Sequence, residues 1–193
     1  MLRRLIANWV YGGFLAALLL LVLTPVLAQG WPLALTLVFL VIPTYMLHQY
    51  EEHDDDRFHR AVNQLMGQGR DVLPSRAIFL INVPLVWSVN AWVFAAARSD
   101  LGWGLIGLYT LLANALVHIV PAVATRRYNP GLITAVILFL PLGLWGSQAV
   151  LAATPVTLLQ QIVAIAVAVG VHVGIVLYVQ SNVRRLRGRG RAA

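Results

Sequence analysis

Six long apolar stretches, separated by short polar breaks, make up most of the chain. A helix needs about 20 mostly apolar residues to cross the hydrocarbon core of a bilayer, and Gly, Pro and Asn in the breaks are typical of turns. The pattern predicts an all-α fold, a polytopic membrane helix bundle with six transmembrane helices in one domain over residues 1–180. The predicted spans are, approximately, 8–28, 31–50, 77–97, 101–124, 130–150 and 155–180. Residues 181–193 are expected to form a disordered basic tail against anionic lipid.

The composition agrees with a membrane protein. Hydrophobic residues make up 60% of the chain and charged residues 11%, whereas about a quarter of the residues in a soluble domain are charged. Cysteine is absent, which excludes disulfides and thiolate metal ligands.

The positive charges are all arginines, and they predict the orientation of the helices. Six spans place every arginine except Arg98 on the same side of the membrane. Because cytoplasmic loops are rich in positive residues, we expect both termini to be cytoplasmic and the protein to lie in the cell inner membrane. Charges that flank apolar spans favour this topology over nucleic-acid binding, and no nucleic-acid partner is expected.

The end of the second span concentrates acids and imidazoles. Residues 48–60, HQYEEHDDDRFHR, contain five of the seven acidic residues and three of the five histidines. On a continuous helix, at about 100° per residue, His53 and Arg57 point away from a polar stripe with these members: His48, Glu51, Glu52, Asp55, His59 and Asn63. Imidazole and carboxylate groups at such spacings suit a divalent cation. The remaining charged residues are expected to form a solvated, salt-bridged helix end: Asp54, Asp56, Arg57 and Arg60.

Other spans carry rare polar residues at a similar depth. His118 lies in the fourth span with Asn114 one turn earlier, and His172 lies in the sixth span. Both histidines fall roughly 12–18 Å inside the arginines of the cytoplasmic side, at about 1.5 Å per residue. Ionisable residues inside a membrane usually face the bundle interior in a functional role. We therefore expect these side chains to meet the second span in one site that opens to the cytoplasm or to lipid.

The run His48-Gln49-Tyr50-Glu51-Glu52 resembles the signature of the HXXEE family of small bacterial multi-span membrane proteins. The resemblance continues more loosely over Asn114-x-x-x-His118 and Tyr128-Asn129-Pro130-Gly131…Thr134, so that it covers about 40 to 150. It implies a functional role for the motif residues, but the family has no established activity to transfer.

We interpret the pattern as a metal-dependent membrane enzyme, a hydrolase or an oxidoreductase. The expected ligands of one divalent ion, zinc or iron, are His48, His118 and His172 with Glu51 or Glu52. The other glutamate would act as general base or orient a ligand, and Asn114 is a further candidate catalytic residue. The location of the site suggests an amphipathic, lipid-like substrate, with membrane lipid as the surrounding partner.

Three other interpretations stay open. Asp55 and His59 would extend the site to two irons, although Ala115 and Val169 occupy the positions at which a ferritin-like Glu-x-x-His motif needs glutamate. The adjacent acids could work without metal, one of them with a raised pKa beside a histidine. A cation or proton transporter would need a polar route to both faces, and the outer half of the bundle is almost entirely apolar.

A face of small residues, Ala166, Gly170 and Gly174, recurs every four positions in the sixth span. Such a face allows close approach of a second helix. This helix could belong to the same chain or to a second copy.

Overall fold

The computed structural model describes residues 1–189, and this part of the chain is helical without strands. Its helices are α1 (Leu2–Leu27), α2 (Leu33–His53), α3 (Arg57–Leu65), α4 (Ser75–Ser99), α5 (Leu105–Thr125), α6 (Leu132–Ala153) and α7 (Leu158–Arg189). Six helical segments are long and apolar enough to cross a membrane, with α3 continuing from α2 across a break. The predicted all-α bundle of six spans is confirmed, and the chain is a multi-pass membrane protein.

The second span is the central helix of the bundle. In its most apolar stretch 61% of the residues are buried, against 17% in α1, α4 and α7. Val38, Val41 and Tyr45 of α2 pack in one core with Leu108 of α5 and Phe139 of α6. Because lipid chains are as apolar as these side chains, close packing and polar contacts stabilise the bundle more than the hydrophobic effect does. The motif at the end of α2 therefore lies among the other helices rather than in lipid.

The helical stripe predicted over residues 48–63 is wrong beyond His53. Asp55 and Asp56 adopt left-handed backbone conformations, with φ of 52° and 53°, and the chain turns there before α3 begins. Asp55 pairs with Arg60 at 2.9 Å, while His59 lies 3.1 Å from Asp71. Neither Asp55 nor His59 thus extends the site to a second metal.

The salt bridge expected in this segment is present, but Asn63 does not lie in the polar stripe that the sequence predicted. Arg57 forms the expected surface salt bridge, at 2.9 Å from Asp54. The carbonyl oxygen of the Asn63 side chain accepts hydrogen bonds from the backbone N–H groups of Val72 and Leu73. Asn63 thereby fixes the chain after α3 and stays outside the site.

The last helix is longer than predicted. Residues 181–189 continue α7, so the expectation of a disordered tail is wrong for them, and residues 190–193 lie outside the described part of the chain. Asn182 donates a hydrogen bond to the carbonyl of Val72 at 3.0 Å, and Arg70 donates to the carbonyl of Leu186 at 3.3 Å. These contacts with the segment after α3 order the end of α7.

Two spans contain a π-helical turn next to the motif. In α4 this turn covers Ile81–Trp87 and includes Pro84, which has no N–H for a regular helical bond. In α6 it covers Ala135–Phe139 and brings the ring of Phe139 to 4.2 Å from that of His48. Wide turns of this kind are frequent at functional sites, and both lie level with the end of α2.

Candidate metal centre

Three buried side chains from two helices converge at the end of α2. His48 and Glu52 lie one turn apart on α2, and His118 projects from α5. The Nε2 atom of His48 lies 3.7 Å from Oε2 of Glu52, and Nε2 of His118 lies 3.8 Å from Oε1. The three possible ligand atoms lie within 4.8 Å of one another. Ligands that bind zinc at about 2.0–2.2 Å in a tetrahedral site stand roughly 3.3 Å apart. The cluster thus needs only a small contraction to hold an ion.

The proton of His48 is placed by its neighbour. Nδ1 of His48 lies 2.8 Å from the hydroxyl oxygen of Thr134, and that hydroxyl donates its own proton to Oε2 of Glu51 at 2.5 Å. The Thr134 oxygen must therefore accept a proton from Nδ1–H. The Nε2 atom then carries a lone pair. It faces Glu52 and has no hydrogen-bond partner among residues 1–189.

The ring of His118 is held in the same tautomer. The side-chain amide of Asn129 donates to the backbone carbonyl of His118 at 2.9 Å, which fixes the orientation of the amide. Its oxygen, 2.8 Å from Nδ1 of His118, consequently accepts the Nδ1 proton. Histidines that bind metals typically donate their other N–H to an oxygen in this way. Both imidazoles thus present unprotonated Nε2 atoms to one carboxylate.

The turn before α6 presses against both rings at Gly131. This glycine has φ of 95°, a conformation that L residues rarely adopt. A Cβ atom there would lie 2.7 Å from Cε1 of His118 and 2.8 Å from Cε1 of His48. The site therefore requires glycine at this position for backbone conformation and for space.

Glu51 lies outside the cluster, although the sequence placed it among the candidate ligands and bases. Its Oε1 accepts hydrogen bonds from the Tyr128 hydroxyl at 2.9 Å and the N–H of Ile133 at 3.0 Å. Its Oε2 accepts from the N–H and the hydroxyl of Thr134. Adjacent helical residues point about 100° apart, so the two glutamates face different neighbours. Glu51 stabilises the N-terminus of α6, where a negative charge is favourable.

The phenol of Tyr128, between α5 and α6, belongs to this hydrogen-bonded group. Burial raises its pKa above the ordinary value, and the nearby Glu51 carboxylate raises it further. Tyr128 therefore remains a neutral hydrogen-bond donor to Glu51 at physiological pH.

His53 is the residue that the helical arithmetic missed. It was expected to point away from the stripe, yet its Nε2 lies 3.1 Å from Oε2 of Glu52. Its ring is buried between Trp9 of α1 and Phe58 of α3, with both ring centroids 5.2 Å away. The sequence did contain one indication of this contact, since His53 directly follows Glu52. A glutamate side chain is long and flexible enough to reach the side chain of the next residue. Three imidazoles therefore surround the Glu52 carboxylate.

His172 and Asn114 lie beside the cluster rather than in it. Nδ1 of His172 donates to the carbonyl of Ala168 one turn earlier on α7, at 2.7 Å. This bond holds the ring along its own helix and explains why His172 is not in the set of convergent ligand atoms. Both residues line a cavity of about 50 Å³ together with Glu52 and His53. His172 therefore lies at the predicted depth and beside the cluster, but it is not one of the convergent ligands.

Asn114 has one polar atom with its partner on α2 and one without a partner. Its amide donates to the Tyr45 hydroxyl at 3.2 Å. Its side-chain oxygen is buried and, within the described residues, accepts no hydrogen bond. Asn114 is thus a lining residue of the small cavity whose own oxygen is buried without a donor.

Comparison with known proteins identifies the family. A family model described as "Protein of unknown function with HXXEE motif" matches residues 39–146, which are more than half of the chain. The match contains the whole cluster together with Asn129 and Thr134, and leaves out α1 and α7. No curated protein and no solved structure matches the chain. The chain therefore belongs to the HXXEE family, and two of its three signature residues face the buried cluster while the third anchors the start of α6.

Proposed function

We propose that the protein is a metal-dependent membrane enzyme in which His48, Glu52 and His118 hold one divalent ion. The observation that carries this proposal is the orientation of the two imidazoles, whose Nδ1 protons are both used elsewhere. Two lone pairs and a carboxylate facing one another in an apolar interior are costly unless a cation or proton satisfies them. Imidazole with carboxylate suits zinc or iron, and three protein ligands leave a position for water or substrate.

A bound ion would supply Lewis acidity and lower the pKa of a bound water to about 7. The protein's own residues would orient the ligands, exclude bulk water and move protons. Glu51 is unsuited to the role of base because four donors occupy its oxygens. His172 is better placed, since its Nδ1 proton is used by Ala168 and its Nε2 atom carries a lone pair. We assign proton transfer to His172 and substrate hydrogen bonding to Asn114.

The position of the cluster supports an amphipathic substrate. Glu52 precedes Arg57 by five residues, and His118 precedes Arg126 by eight. The site thus lies in the half of the bundle next to the arginine-rich face, which the charge bias places in the cytoplasm. A lipid-like molecule in the inner membrane would bring its polar end to this depth.

One observation favours a second candidate, a metal-free acid–base enzyme. The 3.1 Å approach of His53 to Glu52 is that of an ion pair if the ring is protonated. A carboxylate and a histidine in such contact can exchange a proton with a substrate directly. This candidate differs from the first in one measurable property, the metal content of the purified protein.

Elemental analysis of purified protein, before and after loading with zinc or ferrous iron, tests the proposal. We expect one ion per chain in the wild type and its loss in His48→Ala, Glu52→Ala and His118→Ala. His59→Ala is the matched control, because His59 contacts Asp71 outside the cluster and its removal leaves the ligands intact. A wild-type protein that binds neither metal would reject the metal site and leave the acid–base enzyme.

A further inference from the structure

An open groove runs between α4 and α7 on the lipid-facing surface. It has a volume of about 450 Å³, and its walls include Leu80 and Leu85 of α4 and Tyr178 of α7. Gly170 and Gly174 form part of its floor. A Cβ atom added at either glycine would meet nothing within 4 Å in the described chain. The small-residue face of the sixth span is therefore not packed against another helix of this chain, and we refer to this feature as the α4–α7 groove.

The α4–α7 groove adjoins the candidate metal centre. Three side chains line both the groove and the 50 Å³ cavity at the cluster: Ile81, Val171 and Ile175. The cavity side of this wall is lined by Glu52, His172 and Asn114, and the side-chain oxygen of Asn114 is buried and, within the described residues, accepts no hydrogen bond. A molecule in the groove is thus separated from the polar site by these apolar side chains.

We propose that the α4–α7 groove binds a single long alkyl chain of the substrate, whose polar end enters the cavity and donates a hydrogen bond to Asn114. The proposal deepens the proposed function and rests on it for the chemistry, but binding of the chain does not require a metal. It specifies the substrate class as a long-chain compound with a hydroxyl or amide donor at its end. The distance from Gly170 to Tyr178 along α7 is about 12 Å at 1.5 Å per residue, enough for an extended segment of such a chain.

The polar cavity favours an alkyl chain over a second copy of the protein as the occupant. A helix of a second copy would be about 10 Å wide and would cover the groove from outside. It would leave the Asn114 oxygen without a donor behind the wall of Ile81 and Val171. A narrow chain with a polar end satisfies both parts of the site, and the groove volume lies in the usual range of about 300–1,000 Å³ for ligand pockets.

Photo-crosslinking in phosphatidylcholine vesicles tests this assignment. The probe is a long-chain alcohol with a diazirine in its chain, compared with its methyl ether and with a phosphatidylcholine that carries the same chain. We expect labelling by the alcohol to be about tenfold denser in α4 and α7 at the groove than on the exposed face of α1, which corresponds to about 1.4 kcal/mol of preference. The methyl ether lacks the donor and should lose this preference. Equal groove labelling by the phospholipid, which also lacks a hydrogen-bond donor, would overturn the hydrogen bond to Asn114.

Filling the groove supplies the matched variants. Gly174→Leu places a side chain where the alkyl chain would lie, and its Cβ atom would meet no described residue of the protein within 4 Å. Gly12→Leu on α1 is the control, because a Cβ at Gly12 also meets nothing within that distance among residues 1–189. We expect Gly174→Leu to abolish the preferential labelling and Gly12→Leu to retain it.

Even labelling of all exposed helices, or a wild-type dimer that Gly174→Leu converts to a monomer, would overturn the assignment. The metal content of the same samples separates the two proposals. Groove labelling in a protein that binds no metal rejects only the metal enzyme. Metal binding without preferential labelling rejects only the alkyl-chain site.

Discussion

Substituting alanine for Gly131 adds one methyl group against both histidines of the candidate metal centre. The backbone there has φ of 95°, and a left-handed conformation costs an L residue about 1–2 kcal/mol. The new Cβ would lie 2.7 Å from His118 and 2.8 Å from His48, and such overpacking costs about 1–3 kcal/mol. We therefore expect Gly131→Ala to lower the free energy of unfolding by about 2–5 kcal/mol. Displacement of the two rings should weaken zinc binding by about 10–100-fold, as loss of ligand orientation commonly does.

Gly30→Ala is the control that separates backbone strain from the steric effect. Gly30 also has a positive φ, of 77°, but its Cβ would meet nothing within 4 Å in the described structure. Its free energy of unfolding should fall by only about 1–2 kcal/mol, the cost of the left-handed backbone. Its zinc affinity should equal that of the wild type. Thermal unfolding in detergent, with and without zinc, and zinc competition with a chelating dye measure both quantities. Equal stability and equal zinc affinity in the two variants would refute the placement of Gly131 against the rings.

Three further substitutions test the groups around the cluster. Thr134→Val removes the hydrogen-bond acceptor for His48 and should weaken zinc binding about 10–100-fold. Its control, Thr125→Val at the exposed end of α5, should leave zinc affinity unchanged, and the same competition assay compares the two variants. Glu51→Ala should lower the free energy of unfolding by about 1.5–3 kcal/mol, the usual effect of losing hydrogen bonds to a charged group. Elemental analysis should still find one zinc per chain, and loss of the metal would instead make Glu51 a ligand. His172→Ala should keep the metal that His118→Ala loses, and loss of zinc from both variants would return His172 to the ligand set.

The spans could be predicted because hydropathy and helix length depend only on local sequence. Within α2 the helical arithmetic placed His48 and Glu52 correctly on one face, but it wrongly added Glu51 to that face and left out His53. It failed at Asp55 and Asp56, because two left-handed residues in succession change the direction of the chain and no periodicity reveals them. The depth of His172 along α7 could be predicted in the same way. The orientation of its ring could not, because it depends on a hydrogen bond to the backbone of its own helix.

The groups that orient the ligands were the least predictable part. Asn129 and Thr134 lie in the turn after α5 and at the start of α6, where neither hydrophobic period nor spacing indicates their partners. Only the resemblance to the HXXEE family marked this stretch, without giving roles. The role of Glu51 followed from the same tertiary contact, since a carboxylate beside a helix start is recognised only when both segments are placed.

The polar contacts of α2 have a consequence for how the protein is made. This span has the lowest mean hydropathy of the six, and Tyr45, His48 and Gln49 form their side-chain hydrogen bonds with later parts of the chain. Thr134, the partner of His48, follows it by 86 residues. At about 5–20 residues per second, a ribosome needs roughly 4–17 seconds to synthesise that interval. During this time the motif is in the translocon or bilayer without these later partners, so we expect the polar end of the second span to be fully stabilised only once the fifth span is present.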